Sequence, residues 1–199
     1  MKNMKKKISL NNLFQILVLL VIGTSPAFAK VAVKAAPAVQ QWKIKSSEIK
    51  FAVSHLTHNL EGVSKSAKGK AVCDAKSCEF LIGVPALSFS TDNGNRDQHM
   101  YEIISAAVNP IVTVRVVTSS DFPAQKAFNL DVSFAGKTHT YKSADGELIA
   151  KLGSPEQLVI SGHFTIKLSD FSVKRPALLA IPVSDEVPIQ VNLEFEAVR

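Results

Sequence analysis

Between Val187 and Ala197 the side chains alternate: Val187, Ile189, Val191, Leu193 and Phe195 take every second place, with Gln190, Asn192, Glu194 and Glu196 between them. Successive side chains of a β-strand point to opposite faces, so this stretch has one face to bury and one to leave in water. The pattern recurs. Glu48 to Leu56 puts Ile49, Phe51, Val53 and His55 on one side, Ala127 to Ala135 puts Phe128, Leu130, Val132 and Phe134 there, and Leu158 to Leu168 puts Leu158, Ile160, Phe164 and Ile166 there. Weaker extended stretches at Trp42 to Lys45, Gly62 to Cys73, Cys78 to Val84, Ile111 to Ser119 and Thr138 to Leu152 fill the intervals. Hairpin turns fall at Ala135-Gly136-Lys137 and Ala144-Asp145-Gly146. About eight or nine one-sided antiparallel strands hide their apolar faces most economically as a barrel or a two-sheet sandwich.

One stretch breaks the alternation. Thr91 to Met100, TDNGNRDQHM, is polar and carries helix-start chemistry. Asn93 or Asn95 can cap, Asp97 suits a first turn, and Met100, Tyr101, Ile103 and Ile104 supply an apolar side. The spacing predicts a short helix over about Arg96 to Ala107, ended by Pro110. A helix lodged among strands is a lid, a plug or a corner.

The first 29 residues read as a cleavable signal peptide. Lys2, Lys5, Lys6 and Lys7 precede an apolar run from Ile8 to Ile22, and Ala27-Phe28-Ala29 has the small-x-small form of a cleavage site. A retained membrane anchor is the competing reading, for which the run is short and interrupted by Asn11, Asn12 and Gln15. On the first reading the product is exported and is not an integral membrane protein. Residues 30–40 are a small, Ala-rich flexible leader and 41–199 one domain with a core of its own. Removing four lysines leaves 19 basic residues against 17 acidic. With no basic patch interleaved with aromatics, nucleic acid is not a partner. An outer-membrane barrel would need aromatic girdles, and the chain has one Trp and two Tyr. The apolar faces therefore point inward.

Cys73 and Cys78 flank what reads as a tight turn, so in an oxidising compartment a disulfide across the hairpin base is expected; free thiols or a metal site are the alternatives, and a second cysteine pair for the latter is absent. The five histidines fall into no His-Glu-x-x-His motif and no nucleophile elbow appears, so no catalytic or metal-binding residues are assigned, and no cofactor. The enzyme alternative would rest on His99 with Asp97. Eight strands enclose a space that is either filled by side chains or left open to one small ligand.

The strand Ile49 to Leu56, Gly62, the Asp74 turn and Arg96-Asp97-Gln98-His99-Met100 following Ser88 to Thr91 resemble the YceI family, as do Ser169-Asp170-Phe171, Arg175-Pro176 and Asp185-Glu186-Val187. Ser64 and Ala67 stand where members of that family often carry aromatics. The resemblance implies an eight-stranded antiparallel lipocalin-like β-barrel with a short helix after the fourth or fifth strand. It implies a periplasmic protein without catalytic machinery that binds an isoprenoid or other long-chain amphiphilic lipid, such as a quinone tail, and it makes a homodimer a candidate assembly. Carried onto this chain, the expected lining is Phe51, Val53, Phe128, Leu130, Val132, Phe134, Phe164 and Leu193, with Met100, Tyr101 and Ile104 from the helix. Arg96 either holds a head group or fixes the helix with Asp97, and His55 is either a ligand contact or a core histidine. A stress-related scaffold with a filled core and a small lipid-modifying enzyme are the other readings.

Overall fold

A computed structural model describes residues 39–56, 58–120, 128–142, 146–178 and 180–198. The expected signal peptide and nearly all of the expected leader lie outside them, as do Ala127 at the head of one expected strand and Ala144 and Asp145 of one expected turn. The chain is mainly β. Strands β1 (Gln40–His55), β2 (His58–Ser64), β3 (Lys68–Cys73), β4 (Ser77–Pro85), β5 (Ile111–Ser119), β6 (Asn129–Phe134), β7 (Lys137–Lys142), β8 (Gly146–Ser154), β9 (Gln157–Lys167) and β12 (Glu186–Ala197) form one curled antiparallel sheet. A ribbon of β10 (Ala177–Leu178) and β11 (Ile181–Pro182) stands apart from it. The sheet order is β7-β6-β5-β4-β3-β1-β12-β9-β8, with β2 also on β1. This is the lipocalin-like barrel architecture with a few more strands than the eight expected.

The count changes around β1, which runs unbroken through the two stretches expected at Trp42 to Lys45 and Glu48 to Leu56. The stretch expected as one strand from Gly62 to Cys73 is two, β2 and β3, separated at residues 65–67. Both lie on the same edge of β1: β3 against Gln40 to Lys43, β2 against Ile49 to His55. On its other edge β1 pairs β12, and there the register shifts between Ile44 and Ser46, leaving Lys45 as the extra residue of a bulge. A bulge bends its strand and raises the local twist. One long strand is thus turned enough to serve two partners. The polar side chains at the bend close around Glu194, which accepts from Lys45 Nζ at 3.1 Å, Ser46 Oγ at 3.0 Å and Gln157 Nε2 at 2.7 Å. In the gap Ser47 Oγ accepts the Ala67 N–H at 3.1 Å.

The core sits on the concave side, where Trp42, Phe80, Leu130, Leu158, Phe171 and Phe195 are buried. The terminal strands β7 and β8 do not pair with each other among the described residues. Beside β7 the connection is made by side chains. Lys167 N–H donates to Tyr141 Oη at 3.2 Å, Tyr141 Oη donates to Asp170 Oδ2 at 2.8 Å, and Phe171 packs edge-on against Phe134 at 5.4 Å. The 3-10 turn Leu168–Phe171 acts there as a clasp.

Cys73 and Cys78 form a disulfide, as expected, directly opposite each other at the base of the β3–β4 hairpin. Asp74 Oδ1 accepts the N–H groups of Lys76 and Ser77 at 2.7 and 2.8 Å and shapes the turn. Replacing both cysteines with serine is expected to lower stability by about 2 kcal/mol, the chain-entropy value for so short a loop. Denaturant unfolding of the double variant beside the oxidised protein measures it.

Between β8 and β9 the backbones approach closely. A Cβ on Gly162 would stand 2.1 Å from Glu147 O and 2.9 Å from Leu148 Cα, and backbone cannot step aside as a side chain can. Gly162→Val is therefore expected to destabilise the β8–β9 pair by at least about 1–3 kcal/mol, the range for overpacking. A fall in the thermal midpoint checks this.

Candidate functional site

The helix α1 (Gly94–Ile103) follows β4, after the 3-10 turn Ala86–Ser88. Asn93 caps it, its Oδ1 accepting Arg96 N–H at 3.0 Å. The helix begins two residues earlier than expected and stops well before Pro110. Ser105, at φ 54, takes the left-handed conformation, and the bonds Ala106 N–H to Tyr101 O at 2.9 Å and Ser105 N–H to Glu102 O at 3.0 Å make a Schellman stop.

That stop decides where Tyr101 goes. Its ring packs with Ala86, Ile104 and Ala106, the contact that accompanies such a motif, and its hydroxyl donates to Phe89 O at 2.7 Å and Leu87 O at 3.1 Å. Burial pushes the hydroxyl pKa up. Tyr101 is outside the cavity wall, contrary to expectation.

Asp97 anchors the other side of the helix. It is 8% exposed, and its carboxylate accepts from Thr91 Oγ1 at 2.5 Å, Thr91 N–H at 2.8 Å and Ser90 Oγ at 2.8 Å. The Thr91 hydroxyl first, then the Ser90 hydroxyl and Thr91 N–H, hold its pKa below the usual carboxylate range, against the opposing effect of burial. Arg96 completes the knot, donating from Nε to Thr91 Oγ1 at 2.8 Å and from Nη2 to Thr91 O at 2.6 Å. The two residues do fix the helix. Asp97 pairs with the loop rather than with His99, whose nearest acidic partner is Glu102 at 4.0 Å, so the couple on which an enzyme reading rested is not formed.

Beneath the helix an elongated cavity of about 360 Å³ runs into the barrel. Its wall draws on β1, β4, β5, β6, β8, β9 and β12. Along β5 alone it follows Val112, Val114, Val116 and Thr118. At about 3.4 Å per residue, that is about 20 Å of length. Only three of the lining residues have polar side chains, Arg96, His99 and Thr118. Arg96 and His99 stand on the helix, and Thr118 at the opposite end of β5, so the space is apolar between a polar end and a single hydroxyl.

Of the expected lining, Phe51, Val53, Arg96, Met100, Ile104, Phe128, Leu130, Val132, Phe134, Phe164 and Leu193 border this space. Tyr101 does not, and neither does His55, whose Nε2 lies 3.0 Å from Ile181 O beyond the wall. The strand β1 ends at His55, so alternation no longer holds that side chain to the inner face. Ile82 and Val84 of β4, Val112, Val114 and Val116 of β5, and Phe89 also border it, outside the expected set. Gly62 lies opposite Phe51, and a Cβ there would stand 2.3 Å from the Phe51 ring, so the bare backbone leaves the ring its place beside Phe89, 5.8 Å away edge-on. The interior is open rather than filled. Among the described residues there is no group of three or more His, Cys, Asp or Glu side chains placed to hold a metal ion, and no helix is long and apolar enough to cross a membrane.

The YceI-like domain model matches residues 42–195. Solved structures similar in fold include a polyisoprenoid binding domain from Saccharophagus degradans implicated in plant cell wall breakdown, with a TM-score of 0.65 and 17% identity over 79% of this chain and 98% of that one. Burkholderia cenocepacia BcnA matches with a TM-score of 0.58 and 18% identity over 74% of this chain and 95% of that one. The Campylobacter jejuni YCEI protein follows at 0.56 and 18%, over 73% and 90%. No curated protein matches.

Proposed function

The chain belongs to the YceI family, and from that premise we propose that it carries or sequesters an isoprenoid or similar long-chain amphiphilic lipid, such as a quinone tail, in its barrel cavity. The observation that carries this reading is the cavity itself, about 20 Å long on the β5 side, apolar along its length and polar at the helix end. The name borne by the Saccharophagus degradans neighbour, a polyisoprenoid binding domain, agrees with it. The function is binding rather than catalysis.

Size and energy fit the proposal. A methylene group needs about the room of a water molecule, whose share of liquid is about 30 Å³, so about a dozen carbon-sized groups fill 360 Å³. At about 0.8 kcal/mol for each, burial yields about 10 kcal/mol before association costs, and a longer chain extends out of the opening. Thr91 holds the Arg96 guanidinium beside the polar end, where it and His99 can meet the oxygen atoms of a head group. Phe51, Val53, Met100, Ile104, Phe128, Leu130, Val132, Phe134, Phe164 and Leu193 grip the chain.

The site of action in this proposal is the periplasm, reached through a signal peptide removed after Ala29, and the working domain is residues 41–199. Organic extraction of protein purified from its native compartment, followed by mass spectrometry, is expected to yield a stoichiometric prenyl lipid. A lipid-free protein that also fails to quench against a fluorescent prenyl probe would overturn the proposal. A mature N-terminus other than Lys30, read by N-terminal sequencing, would overturn the export part alone.

A further inference from the structure

The polar end of the cavity holds one fixed cation, Arg96, and that cation is already balanced. Arg96 Nε donates to Thr91 Oγ1 at 2.8 Å, and the same hydroxyl donates to Asp97 Oδ1 at 2.5 Å, so one oxygen links the guanidinium to a buried carboxylate. Nη2 is taken by Thr91 O at 2.6 Å. Five N–H groups less these two leave three for a ligand. His99 has Glu102 at 4.0 Å, so this pair adds no net positive charge whether or not the imidazole is protonated. Asp92, in the loop before the helix, is a further exposed anion. Beside Pro176 and Val183 of the wall, Arg175 donates to Val183 O at 3.2 Å and acts on Asp185, and neither charged group borders the cavity. The charges at the helix end thus sum to zero or below.

We infer that Asp97 sets the head-group specificity of this end: the cavity takes lipids with an uncharged head, whose carbonyl or hydroxyl oxygen accepts from Arg96, and excludes those ending in a diphosphate. The inference rests on the lipid-carrier reading above and names the chemical class of the head. A carbonyl or hydroxyl oxygen meets the free N–H groups of Arg96 without adding charge, and the link to Asp97 stays intact. A diphosphate brings more than one negative charge to a place where the nearest cation has an anion one hydroxyl away. It would leave water for an apolar surround with its charge only partly matched, and an ion so placed is costly unless paired. Repulsion from Asp97 and Glu102 adds to that cost. A chain lying the other way round fares no better, since Thr118 at the far end offers one hydroxyl and no cation.

The test displaces a fluorescent prenyl probe from the mature chain with geranylgeraniol and with geranylgeranyl diphosphate. The two share one apolar chain, so burial of the tail cancels in the ratio of their Kd values. Wild type is expected to bind the alcohol at least about tenfold tighter. Asp97→Asn, which keeps an oxygen for Thr91 and removes the charge, is expected to narrow that ratio by about tenfold through a gain for the diphosphate. A purely structural role of Asp97 would weaken both ligands alike and leave the ratio where it was. Glu102→Gln, which spares the Thr91 knot, is expected to move the ratio the same way by about twofold, with the alcohol unchanged and the shift lost in high salt. It decides the matter if Asp97→Asn does not fold. A wild type that binds the diphosphate as tightly as the alcohol overturns the inference, and so does a ratio that folded Asp97→Asn leaves unchanged. Failure of both ligands to bind wild type overturns the lipid-carrier proposal instead.

Discussion

Val114→Trp is expected to abolish uptake of a long-chain lipid while leaving the barrel folded. Val114 sits midway along β5, paired with Ile82 and Val132, and all three line the cavity. An indole directed inward from there enters the lumen at mid-length, where it has empty volume to take. Overpacking a filled core costs about 1–3 kcal/mol; here that cost is reduced by the space and offset by the apolar surface the ring buries. A chain shortened by one five-carbon unit at the block loses up to about 4 kcal/mol, close to a thousandfold in Kd. Titration of a fluorescent prenyl probe measures the loss, and an unchanged or raised thermal midpoint shows that the fold survives. Val114→Ala, which widens the passage, is expected to keep uptake. If the two variants bind alike, the lumen is not where the chain lies.

Asp97→Ala is expected to be the most damaging single change near the helix. It leaves the buried Thr91 N–H and the hydroxyls of Thr91 and Ser90 without their acceptor, and Arg96, which reaches Thr91 in the same knot, loses the anion beside it. Hydrogen bonds to a charged group contribute about 1.5–3 kcal/mol each, so a loss of about 3 kcal/mol in all is a moderate expectation, or about 6–12 °C in the thermal midpoint for a domain of this size. The acid side carries a further signature. In the unfolded chain the carboxyl titrates at its ordinary value of 3.8, and in the folded protein it titrates lower. Its contribution is therefore fully present above about pH 4 to 5 and is lost as pH falls through the folded value. Asp74, Asp185 and Glu194 are displaced in the same direction, so wild type loses stability in acid from several sources. The difference between wild-type and Asp97→Asn stability profiles isolates this one, and it is expected to shrink toward zero as the acid limit is approached. Profiles that stay parallel would remove Asp97 as the anchor.

Much of the barrel was legible in the chain because one-sided strands announce themselves. Where one face is polar, as in β12 or β6, the inner set was read residue by residue. In β4 and β5 it was not, since Leu81, Ile111 and Val117 put apolar side chains on the outer face as well, and alternation dissolves into a run. Val112, Val114 and Val116 were thereby hidden, although they keep a strict period of two with Thr118. The division of β2 from β3 was invisible for a different reason. It follows from the bend at Lys45, a backbone event in another strand that no residue between Gly62 and Cys73 declares. Tyr101 was placed on the inner side by helical spacing, but a Schellman stop at Ser105 turned its ring to Ala106, and serine gives little warning of a left-handed residue. The two readings of Arg96 are compatible for a reason no stretch of sequence declares: the loop at Thr91 folds back onto Arg96 and Asp97 to fix the helix, and Arg96 still borders the cavity.

The pairing of β1 with β12 joins the beginning of the domain to its end, from Trp42 opposite Ala197 to Phe51 opposite Ile189. Loop closure on that scale must precede the gain from the ladder, which makes assembly slow. The ladders that β12 makes with β1 and β9 therefore follow the hairpins of β3 to β7, whose partners are neighbours in the chain.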